Sequence, residues 1–184
     1  MRDISLHILD IAQNSIAAQA TIIEIQVHED RCNDILTVVI SDDGKGMDGQ
    51  MAKEILDPFC TTRTTRKVGL GLPLLKASAE RSDGYIHIDS KLGEGTTVEA
   101  TFKISHIDRP PLGRLDETMV SLIVCNPEIE YIYRHITNKG EFVLDTRDIK
   151  RQIEGISITQ PEVLKFIGEY IEDGIEKIGG GVIS

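Results

Sequence analysis

From Ile4 to Ala18 the chain has neither glycine nor proline. Ile4, Ile8, Leu9, Ile11, Ala12 and Ile16 cover most of a helical wheel, while Asp3, His7, Asp10 and Asn14 gather within about 60° of one another. The pattern predicts a helix buried all round except for one narrow polar strip. Thr21 to Val27 then alternates in the manner of a strand, a charged loop covers Glu29 to Asp34, and Ile35 to Ile40 reads as a second strand, so the two make a hairpin. Ser41 to Asp48 is turn chemistry. Met51 to Leu56 predicts a short helix stopped by Pro58, and Cys60 to Val68 a Thr/Arg-rich loop. Pro73 suits the first turn of a helix running to about Ser82. Gly84 opens a strand from Tyr85 to Asp89, a turn follows at Lys91 to Gly95, and Thr97 to Ile104 forms another strand.

At Asp108 to Gly113 the pattern gives way to a Pro-containing linker, read as the boundary between a domain of residues 1–107 and a small α/β extension of residues 108–184. In the extension, Val120 to Val124 and Ile129 to His135 read as strands. A turn at Asn138 to Gly140 leads to a strand from Glu141 to Asp145 and then to a last helix. Thr159-Gln160-Pro161-Glu162 has the form of a capping box, and Val163, Leu164, Ile167, Tyr170, Ile171, Ile175 and Ile178 make one apolar stripe suited to a core or a dimer seam.

Composition narrows the function classes. The chain has 184 residues, 40% of them hydrophobic, which is enough for a buried core, and with 4% aromatics and no Trp that core is expected to be aliphatic. Net charge is −10, with 11 basic against 16 acidic residues up to Ile107 and 9 against 14 beyond it. Neither half offers a basic face, so nucleic acid is disfavoured as a partner. The first helix is too polar for a signal-peptide core or a membrane span, which points to a cytoplasmic protein with no membrane partner. Cys32, Cys60 and Cys125 are scattered and odd in number, as expected of reduced thiols.

Three clusters carry candidate chemistry. Asp10 and Asn14 stand four apart on one helix face, where a carboxylate and an amide oxygen could meet water or a hard cation, or could simply form a solvated edge. Asp42-Asp43-Gly44-Lys45-Gly46 puts a carboxylate at a strand end, followed by glycines that allow a tight turn and close approach of a ligand; alone it is an ordinary turn. Gly69-Leu70-Gly71-Leu72-Pro73 opens a helix, where backbone N–H groups and the helix dipole favour phosphate. The loop just before it carries Arg63, Arg66 and Lys67, a positive cover suited to an anionic ligand. His7 reads as structural or at a pocket edge, and Cys60 as an inert thiol.

Taken in order, Asp10-Ile-Ala-Gln-Asn14-Ser15, Asp42-Asp43-Gly44-Lys45-Gly46, Pro58-Phe59-Cys60-Thr61-Thr62, Gly69-Leu-Gly71-Leu and Gly93-Glu-Gly95-Thr96 resemble the N, G1, F, G2 and G3 boxes of the GHKL ATPase superfamily. The resemblance covers about residues 4 to 105. It is closest to the ATP-binding catalytic domain of histidine kinases, with anti-sigma-factor serine kinases as near relatives. It implies an α/β fold of the Bergerat type: a two-layer sandwich of a mixed sheet covered on one face by helices, with ATP and Mg²⁺ held between sheet and lid. The same resemblance makes Asn14 the Mg²⁺ ligand, Asp42 the acceptor for the adenine amino group, and Gly44 and Gly46 part of the adenine pocket, with Thr96 near adenine. Gly69, Leu70, Gly71 and Leu72 would bind the phosphates, with Arg63 and Lys67 from the lid. Lys67 stands where relatives often have glycine. Asp10 occupies the place of Asn in histidine kinases and of Glu in the hydrolytic members and serine kinases, so a general-base role falls to a shorter acid.

The first box begins almost at Met1, so the phospho-acceptor is expected on a partner protein. The leading expectation is a stand-alone kinase module that transfers the γ-phosphoryl group of Mg-ATP to that partner, with a homodimer through the apolar stripe also in view. A non-catalytic ATP-dependent switch and a slow autonomous ATPase remain open from the residues alone.

Overall fold

A computed structural model of the chain describes residues 3–49, 55–56 and 70–181. Asp3 caps the first helix, α1 (Ile4–Ala17), its carboxylate accepting from the Leu6 amide at 3.2 Å. Four strands follow in the first part of the chain: β1 (Ile22–Asp30), β2 (Ile35–Asp42), β3 (Ile86–Lys91) and β4 (Gly95–Lys103), with α2 (Gly71–Arg81) ahead of β3. Residues beyond the linker add α3 (Leu115–Cys125), β5 (Glu130–Thr137), β6 (Gly140–Asp145), α4 (Thr146–Gln152) and α5 (Pro161–Lys177). All six strands form one mixed sheet in the order β3-β4-β2-β1-β5-β6, in which β1 and β5 are parallel and every other neighbouring pair is antiparallel. The expected β1–β2 hairpin is present, with Ile25 opposite Ile40.

The register shows why the sheet has one covered face. Ile23, Ile25 and Val27 of β1, Leu36, Val38 and Ile40 of β2, Val98, Ala100 and Phe102 of β4, and Tyr131 and Tyr133 of β5 are buried, two residues apart along each strand. Cross-strand pairing aligns them into continuous rows such as Val98–Ile40–Ile25–Tyr133–Leu144. Ile4, Ile8, Ile11 and Ala12 of α1 and Leu72, Leu75 and Ala79 of α2 complete that core. The result is the expected two-layer α/β sandwich. The core is largely aliphatic, although Phe102, Tyr131 and Tyr133 are among its largest fully buried side chains.

Three expectations are corrected. Val120 to Val124 is helical, not a strand: Leu115, Met119, Leu122 and Ile123 are buried at helical spacing, and packing of that stripe overrides the local β-branched composition. A short helix, α4, follows β6 directly, where Asp145 caps by accepting from the Arg147 amide at 2.9 Å. The capping box at Thr159 does not form. Gln160 is the N-cap residue without a side-chain cap bond, Pro161 takes the first helical position, and Thr159 Oγ1 pairs with Ser157 Oγ at 2.8 Å. Ile167 and Ile171 of the predicted stripe are fully buried, and α5 packs on α3 and β6.

A buried polar chain ties β1 to β5 and to the end of the described chain. Glu29, Tyr133 and His135 are all 0% exposed. Tyr133 Oη lies 2.6 Å from His135 Nδ1, and His135 Nε2 lies 2.8 Å from Glu29 Oε1. The Gly181 amide donates to the same oxygen at 2.6 Å, and Arg31 donates to Glu29 Oε2 at 3.1 Å. Burial opposes ionisation of Glu29, yet the bonds from His135, Gly181 and Arg31 outweigh it and hold its pKa below the usual carboxylate value. Burial pushes the Tyr133 phenol well up.

Candidate functional site

Strand periodicity places the candidate carboxylate. Leu36, Val38 and Ile40 face the helices, so the next residue in that alternation, Asp42, must point to the same covered face at the strand's last position. On β4, Thr96 precedes Val98 and Ala100 in the same alternation, and it is the register partner of Asp42. Both side chains therefore meet the last turns of α1. There Asn14, Ser15 and Ala18, with Ile11, Ala17, Lys45, Gly46, Met47, Ile55, Leu72 and Val98, enclose a cleft of ≈ 260 Å³, mainly apolar, in which Asp42 is the one carboxylate among the described residues.

Asp42 is held by two donors. Ser15 Oγ donates to Oδ2 at 2.5 Å and the Gly44 amide to Oδ1 at 2.9 Å. Its neighbour has a different task. Asp43 points the other way and accepts from the Thr21 hydroxyl at 2.5 Å, the Thr21 amide at 2.7 Å and the Ile22 amide at 2.9 Å, tying the end of β2 to the start of β1. Partial burial works against its charge, and these donors outweigh that and keep its pKa below the usual value. Thr96 Oγ1 is 2.8 Å from Ser90 Oγ, which also accepts from the Met47 amide at 2.8 Å and so pins the turn below the cleft to β3.

Glycine is required at two points around this turn, Gly46 within it and Gly95 at the start of β4. A Cβ at Gly46, whose φ is +63°, would lie 2.0 Å from the Lys91 carbonyl oxygen. At Gly95, with φ +112°, it would lie 1.9 Å from the Asp42 carbonyl oxygen. Gly44 is also tight, its hypothetical Cβ 2.9 Å from the Ala18 carbonyl oxygen.

The N-terminus of α2 stands beside the cleft. Leu72 lines it, Leu70 is the N-cap residue with no side-chain cap bond, and Pro73 contributes no N–H. A Cβ on Gly71 would come within 3.0 Å of Asp10 Cβ and 3.5 Å of Asp10 Oδ2, so the bare glycine is what lets α1 and the start of α2 approach. The structure thus gathers Asn14, Asp42, Gly46, Leu72 and Thr96 on the cleft, Gly44 on its rim turn, and Asp10, Leu70 and Gly71 at its α2 end. Arg63, Lys67, Gly69 and Cys60 lie outside the described residues, as does most of the predicted Met51–Leu56 helix. His7 is buried on the polar strip of α1, with Nε2 3.1 Å from Ser78 Oγ of α2. The strip thus serves three ends: Asp3 caps α1, His7 joins it to α2, and Asp10 and Asn14 reach the site. Sequence reasoning missed Ser15, whose hydroxyl orients Asp42; its place immediately after Asn14 was the available signal. Among the described residues Cys32 and Cys125 are free and exposed, and no helix is long and apolar enough to cross a membrane.

The model of the family described as "Histidine kinase-, DNA gyrase B-, and HSP90-like ATPase" matches residues 2–106. The chain belongs to this family. This ATPase domain is the GHKL superfamily domain, and membership implies ATP binding. Curated relatives include sensor kinases. The chain is 30% identical over 111 residues to the non-motile and phage-resistance protein of Caulobacter vibrioides, and 34% identical over 82 residues to the autoinducer 2 sensor kinase/phosphatase LuxQ of Vibrio parahaemolyticus. It is also 34% identical over 65 residues to the sensor kinase CckA of Brucella abortus. These alignments cover 55%, 42% and 35% of this chain but only 13%, 10% and 7% of the relatives, so the chain spans a small part of their length. Among solved structures, the N-terminal domain of a DNA repair protein matches with a TM-score of 0.51 at 16% identity, over 79% of this chain and 53% of that one. That likeness concerns the fold alone.

Proposed function

We propose that the chain is a protein kinase module that binds Mg-ATP in the cleft between α1, β2 and β4 and passes the γ-phosphoryl group to a partner protein. The observation that carries this reading is Asp42: one oriented carboxylate in a mainly apolar cleft suits a flat heterocycle with a single exocyclic amino donor. Adenine has that donor. Guanine presents a carbonyl oxygen at the same place and would set oxygen against oxygen.

Gly46 and Gly95 allow the close backbone approach that shapes this end of the cleft, and Thr96 borders the ring. Leu70, Gly71 and Leu72 at the start of α2 offer the phosphates backbone amides and the positive end of a helix dipole, and the family resemblance adds Gly69 to them. Arg63 and Lys67, by the family resemblance, add positive charge for the triphosphate. Asn14 fits Mg²⁺, which keeps several waters and takes few protein oxygens, so a single amide oxygen suffices when the triphosphate supplies the rest. When bound, the ion offsets charge on the triphosphate. In transfer, the acceptor atom bonds to the γ-phosphorus as the β–γ bridging P–O bond breaks and ADP leaves. Asp10, beside Gly71, takes the proton when that acceptor is a hydroxyl.

Asn14→Ala is expected to bind nucleotide with the same affinity in Mg²⁺ as in EDTA, whereas the wild-type chain binds more tightly with Mg²⁺. An unchanged Mg²⁺ response in the variant would place the ligand elsewhere. Transfer itself is tested with γ-labelled ATP and candidate acceptor proteins: label is expected on an acceptor only when this chain is present.

A further inference from the structure

On α5 a row of aromatic rings starts in the core and ends in solvent. Phe142 of β6 is nearly buried, and its ring sits where Gly174 has no side chain, since a Cβ there would stand 2.2 Å from Phe142 Cδ2. Tyr170 meets Phe142 edge to face, with ring centroids 5.1 Å apart. Phe166 then stacks on Tyr170 at 5.8 Å with 10° between the planes. Phe166 is 55% exposed and Tyr170 44%. Isolated exposed apolar residues are ordinary, but two stacked rings, one helical turn apart and buttressed from the core, form a preorganised apolar ledge, and aromatic anchors of this kind dominate protein interfaces.

Charge decides what fits the ledge. Exposed residues of α5 include Glu162, Glu169, Glu172, Asp173 and Glu176, against Lys165 and Lys177. At about 100° per residue, Glu162, Asp173 and Lys177 fall within about 40° of Phe166, on the side turned away from the buried Ile167 and Ile171; Lys177 stands about three turns beyond Phe166 at the helix end, which leaves Glu162 and Asp173 as the charges flanking the rings. A second copy would bring the same acidic excess to the seam in a chain of net charge −10, so self-association through this face is opposed. A partner with apolar anchors and positive flanks meets both requirements.

We propose that the Phe166–Tyr170 face of α5 docks a basic amphipathic segment of a partner protein, its apolar side chains on the two rings and its Lys or Arg side chains against Glu162 and Asp173. No residue of α5 lines the nucleotide cleft, so this inference stands or falls independently of the nucleotide assignment.

The test uses the full chain and two labelled synthetic peptides of about four helical turns: an amphipathic Leu/Lys peptide and its Leu/Glu counterpart, followed by fluorescence anisotropy. The Leu/Lys peptide is expected to bind and the Leu/Glu peptide not to bind. The exposed double variant Phe166→Ser/Tyr170→Ser, with its fold checked by circular dichroism, is expected to weaken Leu/Lys binding at least roughly tenfold. Glu162→Lys/Asp173→Lys is expected to weaken it as well and to admit the Leu/Glu peptide. No binding of the Leu/Lys peptide by the wild type, or equal binding by the Phe166→Ser/Tyr170→Ser variant, would overturn the proposal. So would a wild-type dimer in sedimentation equilibrium that the same variant dissolves, which would make the occupant a second copy.

Discussion

Asp10→Asn is expected to slow phosphoryl transfer to a hydroxyl acceptor by about 10²–10⁴-fold, the usual cost of removing a positioned base, while nucleotide affinity measured by calorimetry stays within about twofold. The position explains the separation of effects. Asp10 abuts Gly71 at the start of α2, where the phosphates are proposed to lie, and it is absent from the lining of the cleft proper. A histidine acceptor is already nucleophilic and needs much less help, so transfer to such an acceptor is expected to change little. Free hydrolysis by the chain alone is expected to be slow, because a base one methylene shorter than Glu reaches less far toward a water. Rapid hydrolysis by the purified chain, lost in Asp10→Asn, would contradict the kinase reading and establish an autonomous ATPase.

Glu29→Ala carries the largest expected effect on stability. It removes the partner of His135 Nε2 and of the Gly181 amide at a fully buried place, and breaking a buried charged pair costs roughly 3–5 kcal/mol. For a chain of this size that is a fall in Tm on the order of 10 °C. Glu94→Ala, at an exposed turn, is expected to shift Tm by no more than about 2 °C. The pH dependence follows from the sign of the shift. Glu29 has a depressed folded-state pKa, so its stabilisation is present above the unfolded value and is lost as pH falls through the folded one. Thermal melts of wild type and Glu29→Gln are therefore expected to differ more at neutral pH than in acid. A Tm of Glu29→Ala within about 2 °C of wild type would contradict this account.

What could be read from sequence depended on whether the signal was local. The α1 helix, the β1–β2 hairpin and the glycine turns announce themselves over a few residues through period, caps and φ requirements. The site was legible because its parts recur as short boxes in fixed order, and alternation within β2 then assigns opposite tasks to Asp42 and Asp43. In α3 the local and tertiary signals conflict: Val120 to Val124 is β-like as a string, but burial at Leu115, Met119, Leu122 and Ile123 makes it a helix. The Glu29–His135 pair joins residues 106 apart in the chain through the parallel pairing of β1 and β5, and no short-range pattern announces such a contact. Phe166 and Tyr170 belong to the same class. By period Tyr170 belongs to the apolar stripe, yet the rings leave the core once Phe142 has filled the space at Gly174.

Whether Asp42 reads the adenine ring is decided by titration calorimetry of the wild-type chain with ATP and with GTP. A hydrogen bond to a charged group contributes on the order of 1.5–3 kcal/mol, so ATP is expected to bind roughly ten- to a hundredfold more tightly than GTP, and Asp42→Ala to lose a similar factor for ATP. Equal affinity of the wild type for the two nucleotides would contradict the assignment of Asp42 and with it the proposed site.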